Sequence, residues 1–123
     1  MERRRFSWKE RGNSFSYAFD GIKGLLRTEH NSWIHLALTL LVIVLAIYYR
    51  ISRTECIFLV IAAAMVWAAE LFNTALEKSM DFISREQHPQ IKLVKDLAAA
   101  AVLITALAAL AVGALVFVPK VFG

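Results

Sequence analysis

Cysteine occurs once in this chain, at Cys56, which excludes an intrachain disulfide and any multi-cysteine zinc or iron–sulfur centre. Proline is almost as scarce, at Pro89 and Pro119 only. No G-x-x-x-x-G-K-[ST] loop is present to cradle a phosphate, and neither a Gly-rich kinase loop nor a G-x-S-x-G elbow occurs. Any use of a nucleotide must therefore follow an unrelated solution. Internal repeats, Ser/Gly linkers and low-complexity tails are missing as well. Charge is low: 20% of the 123 residues, against 59% hydrophobic, where soluble domains run at about a quarter charged.

With a mean hydropathy of +0.56, so short a chain reads as one small integral membrane domain over residues 1–123, all-α in class. The apolar residues are bunched into three runs, at 33–49, 56–69 and 97–118, the last closed by Pro119. A span needs about 20 residues, so the second run crosses only if the more polar stretch after Glu70 is partly embedded. The expected elements are a surface helix over about 14–30 and transmembrane helices over about 31–50, 55–80 and 94–118. The basic start, Arg3-Arg4-Arg5, meets no clean apolar h-region or cleavage site, so no cleavable signal peptide is expected.

Orientation follows from the basic residues. Eleven Lys and Arg flank the first span's start and the loop between the second and third spans; Arg50, Arg53 and Lys120 are alone on the other side. The N-terminus is then expected in the cytoplasm and the C-terminus outside. The excess positive charge is read as topology and lipid headgroup contact, with no nucleic-acid partner expected. Phe15, Ala18, Phe19, Ile22, Leu25 and Leu26 recur at helical spacing before the first span, the pattern of an amphipathic helix lying on the cytoplasmic leaflet. The third span is rich in alanine, and small residues let helices approach closely in lipid, so self-association is expected.

The chemistry-bearing stretch is ELFNTALEKSMD, residues 70–81. At about 100° per residue, Glu70, Asn73, Thr74, Glu77 and Asp81 fall within roughly a third of the helix circumference. A carboxylate at membrane depth costs about 2.5–3.5 kcal/mol on the insertion scale, so two on one face call for a cation, a proton or a partner. Glu29, at the mouth of the first span, should lie at the same depth as Glu77, which makes the two a candidate pair of ligands for Mg²⁺. Lys95 and Asp96 suit a nucleotide, with Lys on phosphate, or simple topology; spacing alone leaves both open. The three histidines are too scattered for a metal triad, and His35 reads as an interfacial residue. From the residues alone, the acidic face also suits a cation- or proton-coupled transporter or a docking site for a partner helix. The carboxylates lie at the cytoplasmic end rather than mid-bilayer, which disfavours a relay.

Glu70-Leu-Phe-Asn73-Thr74-Ala-Leu-Glu77-x-x-x-Asp81, followed by Lys95-Asp96 and an Ala-rich span and preceded by Glu29, closely resembles the defining motif of the small prokaryotic diacylglycerol kinase family. The likeness runs from about Phe15 to Pro119-Lys120. It implies an ATP- and Mg²⁺-dependent lipid kinase: a homotrimer of three-span protomers with active sites shared between them. It further implies Glu70 as general base on the lipid hydroxyl, Glu29 and Glu77 as metal ligands with the ATP phosphates, and Asn73 and Ala99 beside the lipid. Tyr17, Glu86, Gln87, His88, Lys95 and Asp96 join Glu29 and Glu77 in the nucleotide site on the same resemblance. One departure is Glu10, where ungapped alignment puts an arginine in the Gram-negative members. The RTEHN and QHP stretches and the closing PK are more similar to the Gram-positive branch, whose acceptor is undecaprenol; diacylglycerol is the alternative.

Overall fold

The computed structural model describes residues 3–123, and these form four helices joined by short connections. Helix α1 (Trp8–Thr28) starts earlier than the apolar pattern suggests, because the Ser7 hydroxyl accepts from the Glu10 amide at 3.5 Å and caps it. Its end is a tight joint rather than a loop. Ser32 Oγ donates to the Leu25 carbonyl at 3.3 Å, and Trp33 Nε1 donates to the Leu26 carbonyl at 2.8 Å. Ser32 and Leu25 are the two most buried residues described, at 1% and 2% exposure. Carbonyls left over at the end of α1 are thus taken up by the first turn of the next helix.

Helix α2 (Asn31–Tyr48) spans 18 residues, or about 27 Å. It turns back through Arg50, whose φ of 49° is left-handed, into the Ser52–Glu55 capping box that opens α3 (Arg53–Ile83). The 31 residues of α3 measure about 46 Å, well beyond the ~30 Å hydrocarbon core of a bilayer. Since α2 ends where α3 begins, at the turn, the excess of α3 projects past α2 on the α1 side. Helix α4 (Pro89–Phe122) begins where His88 Nδ1 accepts from the Gln90 amide at 3.1 Å, with Pro89 in the first turn, where its missing N–H costs nothing. The expectation that Pro119 closes this element fails: α4 continues through it to Phe122. Only the bond to the Leu115 carbonyl is lost, and Leu115 is exposed, so one more turn survives.

Helices α3 and α4 pack antiparallel along their length. Lys95 meets Asp81 at one end, and Leu59 clusters with Val116 and Phe117 at the other. Val42, Leu45, Ala46 and Tyr49 of the α2 end complete that second cluster. Elsewhere the apolar side chains are uncovered, among them Ile104, Leu107 and Leu110 of α4 and Ile43, Val44 and Ile47 of α2. So much exposed aliphatic surface excludes a water-soluble monomer. α2, α3 and α4 are each long and apolar enough to cross a membrane.

Candidate active site

The register of the helices decides which polar groups meet. At the α1 end, α3 presents Glu70, Asn73, Thr74 and Glu77 at helical spacings of three and four. Glu70 is 8% exposed and Thr74 is buried with it, although the surrounding apolar residues of α3 are mostly open. Across from Glu70, one turn inside the start of α2, stands His35, with Nε2 2.8 Å from Glu70 Oε1. An ionised carboxylate only accepts, so the bond assigns the ring proton to Nε2. Sequence alone reads His35 as an interfacial residue; the fold adds a buried carboxylate as its partner. A histidine inside an otherwise apolar run was the available signal, but its partner lies 35 positions away.

One turn beyond Glu70, Asn73 Nδ2 donates to Glu77 Oε1 at 3.4 Å, while among the described residues the buried Asn73 Oδ1 has no hydrogen-bond partner. Buried orphan acceptors are uncommon, and this one borders the only acidic face of α3. Glu29, at the C-cap of α1, lies 3.9 Å from the ammonium of Lys78, the neighbour of Glu77 in sequence. That contact brings the end of α1 to the part of α3 that carries Glu77. No three His, Cys, Asp or Glu side chains converge on one point among the described residues. What remains is two carboxylates and an amide carbonyl, all hard oxygen donors. That set fits a Mg²⁺ ion carrying phosphate oxygens rather than one caged by protein alone.

Past Glu77 the surface becomes an array of ion pairs between α3 and α4 and along α4. Lys95 Nζ donates to Asp81 Oδ1 at 2.7 Å. Lys92 pairs with Asp96 one turn along α4. Exposed pairs of this kind contribute little to stability, so Lys95 and Asp96 remain available to a ligand. Tyr17 on α1 and Glu86, Gln87 and His88 between α3 and α4 are exposed. Among the described residues, none of their side chains bonds to the Glu70–Glu77 face. Ala99 is exposed on α4, close in level to Glu77 by the pairing of Lys95 with Asp81. Below His35 and Trp67, an apolar groove of about 430 Å³ runs between α2, α3 and α4 towards Phe117.

The array has a buried carboxylate fixed by a histidine, an acidic face with hard donors, and cations beyond it. Three curated proteins are similar to this chain over most of its length. An undecaprenol kinase of Bacillus subtilis is 35% identical over 107 residues, 87% of this chain and 87% of its own. A diacylglycerol kinase of Synechocystis sp. is 33% identical over 120 residues, 94% of this chain and 69% of its own. A diacylglycerol kinase of Helicobacter pylori is 36% identical over 88 residues, 72% of this chain and 69% of its own. The family profile of prokaryotic diacylglycerol kinase matches residues 16–117, which takes in α2 and α3 whole, most of α1 and α4, and the whole acidic face. On that match the chain belongs to the prokaryotic diacylglycerol kinase family.

Proposed function

We propose that this lipid kinase transfers the γ-phosphoryl group of ATP to the primary hydroxyl of undecaprenol at the cytoplasmic face of a bacterial membrane. The observation that carries the reading is the buried, histidine-bonded carboxylate of Glu70 within a membrane-length helix. Undecaprenol is favoured by the mutual 87% coverage with the Bacillus subtilis enzyme. Diacylglycerol is the second candidate, favoured by the match over 94% of this chain to the Synechocystis enzyme.

An alcohol is a poor nucleophile at neutral pH, so its proton must leave as the bond to phosphorus forms. Glu70 takes that proton, the hydroxyl oxygen bonds the γ-phosphorus, the β–γ bridging bond breaks, and ADP departs. Glu29 and Glu77 would hold Mg²⁺ with the phosphates, and the unpartnered Asn73 Oδ1 is a further oxygen donor on the same helix face. The ion, when bound, neutralises phosphate charge. Lys95 supplies further positive charge, and Tyr17, Glu86, Gln87, His88 and Asp96 contact the nucleotide. Asn73 and Ala99 border the lipid headgroup. α1 lies along the membrane surface with Phe15, Phe19 and Ile22 in the lipid, and the N-terminus is cytoplasmic. Tyr17 and the 86–88 connection do not reach the acidic face of their own chain, and aliphatic surface is left uncovered. A homotrimer with sites completed between protomers accounts for both.

The test is transfer from labelled ATP in mixed micelles, offering undecaprenol and diacylglycerol in parallel, with and without Mg²⁺. Mg²⁺-dependent labelling of undecaprenol at the higher kcat/KM is expected. Preferential labelling of diacylglycerol would replace the acceptor, and labelling of neither by folded protein would refute the activity.

A further inference from the structure

We propose that His35 is a positioning residue for the Glu70 base: its Nε2–H fixes Oε1, so that Oε2 faces the acceptor hydroxyl. The inference rests on the role given to Glu70 above. It starts from a frame of bonds between two helices. On α2, Thr39 Oγ1 donates to the His35 carbonyl at 2.7 Å, one turn away. On α3, Trp67 Nε1 donates to that same hydroxyl at 3.0 Å, and the Trp67 ring stands edge-on to the imidazole, 6.2 Å between centroids. Trp67 and Glu70 are one turn apart on α3, as His35 and Thr39 are on α2. The two helices are thus pinned at two successive levels, and the second pin is the carboxylate itself.

The chemistry of the pin follows from the torsions of glutamate. Its side chain has three rotatable bonds, and a base must hold one oxygen within hydrogen-bond reach of the hydroxyl it deprotonates. Free rotation would leave the carboxylate in productive geometry for a fraction of the time. A bond from a half-buried ring, which the Trp67 ring flanks edge-on while Thr39 ties Trp67 to the His35 backbone, removes that freedom before substrate arrives. Among the described residues, Glu70 Oε2 makes no hydrogen bond to protein. No titratable side chain competes at this level: the facing part of α4, residues 102–109, is aliphatic apart from Thr105. Glu77 lies about 10 Å further along α3.

The assay is steady-state phosphoryl transfer by the full chain in mixed micelles, for wild type, His35→Leu, His35→Gln, Glu70→Gln and the double variant His35→Leu/Glu70→Gln. His35→Leu should lower kcat by about 10- to 100-fold, the range for losing a hydrogen bond to a charged group, with KM for ATP and lipid little changed. His35→Gln keeps an N–H donor of similar reach and should recover most of that loss. The double variant should be no slower than Glu70→Gln alone, because two residues acting through one group are not additive. An unchanged kcat in His35→Leu, a His35→Gln as slow as His35→Leu, or a further fall in the double variant each overturns the proposal. If wild type itself transfers no phosphate, or Glu70→Gln is as fast as wild type, the role of Glu70 fails and His35 falls with it. Should His35→Leu fail to fold, His35→Met, unbranched and likewise without an N–H donor, takes its place with the same expected and overturning results.

Discussion

Replacing Glu70 by glutamine separates the chemistry of this site from its architecture. Glutamine has the same length and shape, and its amide oxygen accepts from His35 Nε2 as the carboxylate does at 2.8 Å. The structural cost is the difference between a charge-assisted and a neutral hydrogen bond, about 1 kcal/mol. Part of that is offset, because a neutral amide is less costly than a carboxylate at membrane depth. Thermal unfolding in detergent should therefore shift by only a few degrees. The chemical cost is far larger, because an amide takes no proton at neutral pH. Loss of a general base lowers kcat by about 100- to 10,000-fold, equivalent to about 2.7–5.5 kcal/mol in the barrier. Glu70→Asp is the useful companion: the carboxylate survives but is drawn back by a methylene, out of reach of His35, so an intermediate rate is expected. The readout is labelled phosphate appearing in lipid at saturating ATP, with folding checked by helical circular dichroism. A kcat for Glu70→Gln within tenfold of wild type would refute the base assignment, whatever its effect on KM.

Glu77→Gln should raise the Mg²⁺ concentration needed for half-maximal rate by about tenfold or more, since one of two carboxylate ligands is lost; an unchanged Mg²⁺ titration removes Glu77 from the metal site. Phe117→Ala opens the cluster with Leu59 and Val116 at the far end of the bundle. It should cost about 2 kcal/mol, less than the ~3–5 of a water-soluble core because acyl chains fill the space. Thermal unfolding should show that loss with kcat at low temperature unaltered, and a slowed kcat with normal stability would contradict the separation of cluster and site.

The apolar runs alone made three crossings legible, because a bilayer demands about 20 apolar residues per helix whatever the rest of the chain does. The acidic face was legible for a similar reason: charge inside such a run is costly, so Glu70 stands out wherever it folds. Helix ends were less visible. The capping by Ser7 and His88 that sets the starts of α1 and α4 is a matter of single side-chain bonds, which hydrophobic period does not report. Pro119 reads as a stop in sequence, yet one lost bond near an exposed helix end was not enough to break α4.

The sequence by itself determined the helical class, the number of membrane-length helices and the set of residues able to do chemistry, because each depends on composition and local period. Only the tertiary structure decided that His35 meets Glu70 and that Trp67 bonds Thr39 one turn away. It alone also left Asn73 Oδ1 without a partner. Those meetings depend on the register between α2 and α3. A four-residue turn with one left-handed residue fixes that register at the opposite end of the bundle, some 20 Å from the groups it aligns.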